Sequence, residues 1–381
     1  MTTHTAAIGA NVRRLRAAKG MNQTQLAEKA SLSRPALRKI ENDESLPQAS
    51  TLQKLAKALG VSLQELVEPA PTIDNVRFRA RKQMYGRDQI LTETARWLAG
   101  FVEVEGLLGA ETHYTLGGLL ETRDRHPIEA ARKVREHMDL DDEPVHDIAG
   151  LLEAHGIKVL AAPKNTDAFF GLSVGPAEGG PAVIVNTWDR ISVERWIFSA
   201  AHELAHLVLH LDSFDAEESE EDLDQEKEAD QFASHFLMPD EVFRREWDDA
   251  QGLPLVDRVF KVKRIFKVSY RTVLYRLVEN GFADQDIWRI FQRHYKQRTG
   301  KTLKKADEPQ KISADQFYAG RPAAKRAAEP VGLAEIDFRE DRLSSLVRQA
   351  LDQGLITMSR AAEVLGVDLR AMRGLVSEWV V

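Results

Sequence analysis

The sequence contains no cysteine. That absence excludes disulfides, thiol nucleophiles, iron–sulfur clusters and thiolate zinc sites, so any metal centre must be built from His, Asp or Glu. There is also no apolar run near the roughly 20 residues that crossing a bilayer requires. The opening stretch MTTHTAAIGANVRRLR lacks the apolar core of a signal peptide, and the expectation is a cytoplasmic protein with no membrane partner. Basic residues do not dominate: 52 Lys and Arg stand against 59 Asp and Glu, a net charge of −7, which does not mark the whole chain as a polyanion binder. What is present is an ordinary globular composition, 43% hydrophobic and 29% charged, over 381 residues. At about 150 residues per domain, that length predicts two or three domains with buried cores.

The pattern along the chain predicts an α+β protein that is mostly helical. Residues 1–68 read as five short amphipathic helices, stopped by Pro69-Ala70-Pro71 in a linker over 69–75. Residues 76–147 form a helical connecting region, with Ile90, Leu91, Trp97, Leu98 and Phe101 at helical spacing. Across 148–296 the texture changes. A helix over 148–155 precedes three strand candidates, Ile157–Ala161, Phe169–Val174 and Ala182–Thr187, and then a long apolar helix over about 192–211. The stretch DSFDAEESEEDLDQE (212–226), with nine acidic residues in fifteen, reads as a solvated loop, and a further helix over 226–237 closes at Met238-Pro239. A Lys-, Ala- and Pro-rich segment over 297–332 reads as a flexible connector, and 333–381 as a small helical C-terminal unit in which Ile356, Ala361, Ala362 and Leu365 have core spacing.

Within the first unit, MNQTQLAEKASLSRPALRKIE has the pattern of a helix-turn-helix. Leu26 and Ala27 face inward on the first helix, Leu32 sits in the turn, and Leu37 and Ile40 anchor the second. Ser33 is a suitable N-cap for that second helix, and Pro35 is tolerated in its first turn. The N-terminal end of such a helix enters the major groove, which points Ser33, Arg34, Ala36 and Arg38 at base edges or phosphates, with Gln23 placed for a backbone phosphate. Ten Lys and Arg against six Asp and Glu make residues 1–68 locally basic in an acidic chain, the electrostatic footprint of a DNA binder. Residues 7–67 resemble the Xre/Cro family of phage-repressor helix-turn-helix domains, which implies binding of double-stranded operator DNA as a homodimer. The family usually has Gly soon after the Ile-Glu pair, whereas this chain has Asn42-Asp43-Glu44.

The centre of the chain carries AHELAH (201–206). Residues four apart share one helical face, so His202 and His206 can reach one cation while Glu203 approaches a water on it. Zinc suits such an N/O set, and three protein ligands leave one position open for catalysis. A bare HExxH is a weak signal, but Ile197, Phe198, Leu204, Leu207 and Val208 make this a core helix, and a third ligand candidate follows it. The metzincin pattern needs Gly at 209 and His at 212, where Leu209 and Asp212 stand, so that class is excluded. His210 reads as a helix-end histidine or one that supports a ligand from behind, with a structural role favoured. In EKEADQFASHFLMP, Glu226 and Asp230 share a face and Glu228 is rotated away. This favours a gluzincin-like set with one zinc per chain: His202, His206 and Glu226 as ligands, Asp230 orienting a ligating histidine, and Glu228 as the alternative ligand. Glu203 is the general base. Ala182–Thr187 is the candidate edge strand for β-addition of a substrate, and His235, Tyr270 and Tyr275 are candidate oxyanion stabilisers.

Four blocks in order, PAVIVNT, FSAAHELAHLVLH, EKEADQFASHFLMP and FKVSYRTVLYRLVENGF, resemble the ImmA/IrrE metallopeptidases over about 148–280. Members often read Glu-x-x-Ala-Asn where this chain has Asp230. The resemblance implies a zinc peptidase that cuts a transcriptional repressor in response to stress or mobile-element signals. Together the two resemblances imply a DNA-binding regulator fused to a zinc endopeptidase. The other reading is a regulator or antitoxin whose peptidase-like domain binds a partner without turnover.

Overall fold

A computed structural model describes residues 3–78, 86–121, 125–177, 179–215, 222–304, 308 and 332–379. The chain divides into two compact units: Met1–Asp74 with Ala80–Leu108 and Val347–Val381, and Asn75–Arg79 with Gly109–Leu346. Among the described residues no helix is long and apolar enough to cross a membrane.

The first unit begins with five helices: α1 (Thr3–Ala18), α2 (Gln23–Lys29), α3 (Arg34–Glu41), α4 (Ala49–Leu59) and α5 (Leu63–Val67). Polar caps define the starts of α2, α3 and α5. Asn22 and Gln25 form a reciprocal capping box on α2, while the Ser33 and Ser62 hydroxyls accept the N–H groups of Ala36 and Glu65. Val12, Leu15, Leu26, Leu37, Leu55 and Leu66 meet in one core, each contributing roughly 1.5–3 kcal/mol by leaving water. Asp43 adopts φ +57°, a left-handed conformation that Asp tolerates better than most residues. Its Oδ1 accepts the Gly9 N–H at 3.2 Å. Only glycine fits at position 9, because a Cβ there would lie 2.4 Å from the Ile40 carbonyl oxygen.

The same unit includes α6 (Arg87–Leu108), α16 (Met358–Val364) and α17 (Leu369–Trp379). Arg96 on α6 reaches Glu65 on α5 at 2.9 Å. Val364 packs on Gly100 of α6, and Arg360 pairs with Glu103. Residues 347–381 therefore group with the N-terminal helices through α6.

The second unit is built on a four-stranded sheet of β1 (Val76–Arg77), β2 (Lys158–Ala161), β3 (Gly171–Val174) and β4 (Ala182–Val185), in the order β1-β3-β4-β2. Strand β1 falls in a region whose sequence reads as helical; two residues are too few to carry a periodic signal. The candidate edge strand also needs correction. Strand β4 is internal, pairing antiparallel with β3 (Ser173 opposite Val183) and parallel with β2 (Val159 opposite Val183), so β1 and β2 form the edges. Its run Ala-Val-Ile-Val is buried throughout, as expected of a strand covered on both faces.

The helices of this unit are α7 (Pro127–His137), α8 (Ile148–Ala154), α9 (Val193–Leu209), α10 (Leu223–Leu237), α11 (Asp240–Asp249), α12 (Leu255–Phe266), α13 (Tyr270–Glu279) and α14 (Ile287–Thr299); the division between the units falls within α15 (Arg342–Asp352). Helix α9 packs on β3 and β4, and α10 packs against α9 and α7. The first turn of α9 is also fixed electrostatically: Glu194 accepts from Lys263 of α12 at 2.7 Å, with both side chains essentially fully buried. Of the acidic stretch, 216–221 lie outside the described residues, as do 305–307 and 309–331 of the expected connector.

Candidate metal centre

Ser192 caps α9 by accepting the Arg195 N–H, and the helical repeat then brings His202 and His206 to one face. Opposite them α10, capped by Asp222, presents Glu226 from its first turn. The Nε2 atoms of His202 and His206 are 3.1 Å apart. Glu226 Oε2 is 3.1 Å from His202 Nε2, and its Oε1 is 3.4 Å from His206 Nε2. Ligands held 2.0–2.1 Å from a tetrahedral zinc are about 3.3 Å from one another. The spacing of these three side chains therefore fits such an ion.

Each neighbour of the cluster has a defined partner. Asp230 Oδ1 lies 2.9 Å from His202 Nδ1. His206 Nδ1 faces His210 Nδ1 at 2.9 Å, and His210 Nε2 lies 2.8 Å from Glu228 Oε2. Glu203, the residue after His202, is buried, and its Oε2 accepts the Ser173 hydroxyl of β3 at 2.9 Å. Burial pushes the Glu203 carboxyl up to about 7, against the opposing pull of His202 and of the Ser173 bond. Burial opposes charge on His202 too, but hydrogen bonds to Asp230 and Glu226 outweigh it and raise the imidazole to about 9. His206 goes the other way: burial lowers it well below its usual value. Burial also acts on Glu226, yet the imidazoles of His202 and His206 beside it hold its carboxyl well below the usual range.

Two residues that sequence patterns do not single out also reach this cluster. One is Ser173. The other is Arg77 of β1, whose buried guanidinium donates to Glu226 Oε1 at 3.0 Å and to Gln225 Oε1 at 2.6 Å. The apolar–basic alternation of Val76-Arg77-Phe78-Arg79 is the one sequence trace of that strand.

The sequence model of the family described as helix-turn-helix matches residues 12–66, and that of the peptidase family described as IrrE N-terminal-like domain matches residues 152–278. The chain belongs to the helix-turn-helix family and carries an IrrE-like peptidase domain. The immunity repressor protein of Bacillus phage phi105 is 42% identical over 60 residues, 16% of this chain and 42% of that protein, so the chain spans less than half of it. An uncharacterized HTH-type transcriptional regulator, y4dJ, of Sinorhizobium fredii is 40% identical over 62 residues, 16% of this chain and 80% of that protein.

In the helix-turn-helix domain, Arg34 and Arg38 are exposed on α3, Ser33 caps that helix, and Ala36 is half-buried in its first turn. Gln23 gives an amide N–H to Glu41 Oε2 at 2.8 Å, beside the Arg16–Glu41 ion pair. In the IrrE-like domain, His235 is held by Arg276 and Glu279, Tyr270 stacks on Phe291 in the core, and Tyr275 is exposed. None of these contacts involves the histidine cluster.

Proposed function

We propose that this chain is a DNA-binding transcriptional regulator whose IrrE-like domain is a zinc-dependent endopeptidase acting on a partner protein, a transcriptional repressor by family resemblance. The observation that carries the reading is the convergence of His202 Nε2, His206 Nε2 and the Glu226 carboxylate at spacings a tetrahedral cation needs, with buried Glu203 next in sequence. His202, His206 and Glu226 hold one zinc per chain, and Asp230 orients His202 through its Nδ1. Bound zinc supplies Lewis-acid activation of water and of the scissile carbonyl. Glu203 takes a proton from the attacking water and delivers it to the departing amine nitrogen. A carboxyl lifted toward neutrality is suited to both halves of that transfer.

The other domain binds double-stranded operator DNA as a homodimer. Its family and the phage immunity repressor support this role. Ser33, Arg34, Ala36 and Arg38 face the groove from the start of α3, with Gln23 against the backbone. New protein N-termini, compared by mass spectrometry between cells producing the wild type and cells producing Glu203→Gln, test the peptidase reading. N-termini made only by the wild type support it. Identical sets overturn it and leave a regulator that binds its partner without turnover.

A further inference from the structure

The cluster holds two histidines that face Glu226, yet their outer nitrogens are treated differently. A neutral imidazole carries one proton, and a histidine that offers Nε2 to a cation must keep that proton on Nδ1. For His202 a proton is held on Nδ1 by Asp230, whose Oδ1 at 2.9 Å can only accept. His206 Nδ1 instead meets another imidazole nitrogen, His210 Nδ1, also at 2.9 Å. Between two facing ring nitrogens one must donate and the other accept, and the far side of His210 decides which. His210 Nε2 lies 2.8 Å from the Glu228 carboxylate, so the His210 proton sits on Nε2. Its Nδ1 is then bare and accepts from His206 Nδ1–H, which leaves the His206 Nε2 lone pair for a cation shared with His202 and Glu226.

The backbone explains why both residues can reach. His210 is the C-cap of α9, with φ −125° and ψ 21°, and its N–H still bonds the His206 carbonyl at 3.0 Å. Its ring therefore folds back beside that of His206, with centroids 5.1 Å apart. Glu228 is turned away from the face shared by Glu226 and Asp230, and this turn carries it toward the end of α9, where His210 lies.

We propose that His210 and Glu228 are positioning residues for the metal centre, acting in series to hold the His206 proton on Nδ1 as Asp230 holds one on Nδ1 of His202. The inference deepens the zinc-site reading and rests on it. Buried ligand-orienting hydrogen bonds of this kind are worth about ten- to a hundredfold in metal affinity.

The test uses the full chain with imidazole 15N labels, together with zinc dissociation constants from chelator competition. In chelator-treated wild type, His206 is expected in the Nδ1–H tautomer. In Glu228→Ala, His206 is expected as a mixture of tautomers, with a zinc dissociation constant about ten- to a hundredfold higher. His210→Ala should behave alike, while His210→Asn, whose side-chain oxygen still accepts near the Nδ1 position, should recover both readouts. Glu228 is partly exposed, so its variant keeps the test valid if His210→Ala misfolds. An Nε2–H tautomer of His206 in the wild type overturns the proposal. So does wild-type zinc affinity in both alanine variants. A wild type that takes up no zinc defeats the peptidase reading, whereas the tautomer measurement still decides the role of His210.

Discussion

Gly171 of β3 backs directly onto Glu203: a Cβ at that position would lie 2.8 Å from Glu203 Oε1 and 2.9 Å from its Cγ. The glycine is required by this close approach of strand and helix, since its backbone is ordinary strand. Gly171→Ala should therefore displace the Glu203 carboxylate while leaving His202, His206 and Glu226 in place. A misplacement of about 1 Å at a proton-transfer group costs on the order of a hundredfold in rate. Cleavage of a substrate identified from its new N-termini should fall by about that factor at unchanged zinc content. Wild-type kcat/KM in the variant would remove this packing from the account.

Arg34 and Arg38 are exposed on α3 at the face assigned to DNA. Replacing both with Ala should weaken binding to a duplex selected by the wild type by about tenfold or more, and should lower the salt slope of log K by about one for each phosphate left without its arginine. Fluorescence anisotropy at several salt concentrations measures both. An unaltered slope and affinity would move the DNA-facing surface elsewhere.

Glu153 on α8 is 6% exposed, and burial, reinforced by nearby Glu340, lifts its carboxyl to about 7 although the Arg342 N–H and guanidinium oppose the shift. The unfolded chain loses this proton at about pH 4.3 and the folded chain at about 7, so between those values the folded state binds more protons. Stability then falls as pH rises through that window. Glu153→Gln removes the dependence, with a gain of up to roughly 3 kcal/mol at about pH 8 and little at about pH 4. Urea unfolding at the two pH values checks it, and an equal effect at both contradicts it.

Lys263 neutralises Glu194 at the start of α9 and also reaches Glu308 at 2.9 Å. Lys263→Met leaves two buried carboxylates without that cation and should cost about 3–5 kcal/mol, because an uncompensated buried charge loses its solvation. Combining it with Glu194→Gln should restore part of the loss. Urea midpoints for the single and double variants decide this, and a single variant within about 1 kcal/mol of wild type is the contrary result.

Much of the fold is legible where local chemistry determines it. Ser33 and Ser192 mark helix starts through their hydroxyls, and the four-residue spacing of His202 and His206 puts both rings on one side of α9. What escapes the sequence is long-range. The apolar run of β4 fits an inner strand, but nothing local gives the strand order or brings the two-residue β1 to the edge. Arg77 reaches Glu226 from 149 residues away in a two-residue strand. The grouping of 347–381 with α6 depends on Val364 meeting Gly100, a meeting with no local signal. Glu228 reads as turned away from the site because helical spacing gives its direction but not the position of the α9 C-cap that receives it.

The zinc content of the purified full chain, measured by elemental analysis beside Glu226→Ala and Glu203→Gln, tests the central claim most directly. The account predicts about one zinc per wild-type chain, retention in Glu203→Gln, and loss or marked weakening in Glu226→Ala. Wild-type protein that holds no zinc after incubation with the metal, or Glu226→Ala that binds it as tightly as wild type, would contradict the three-ligand site.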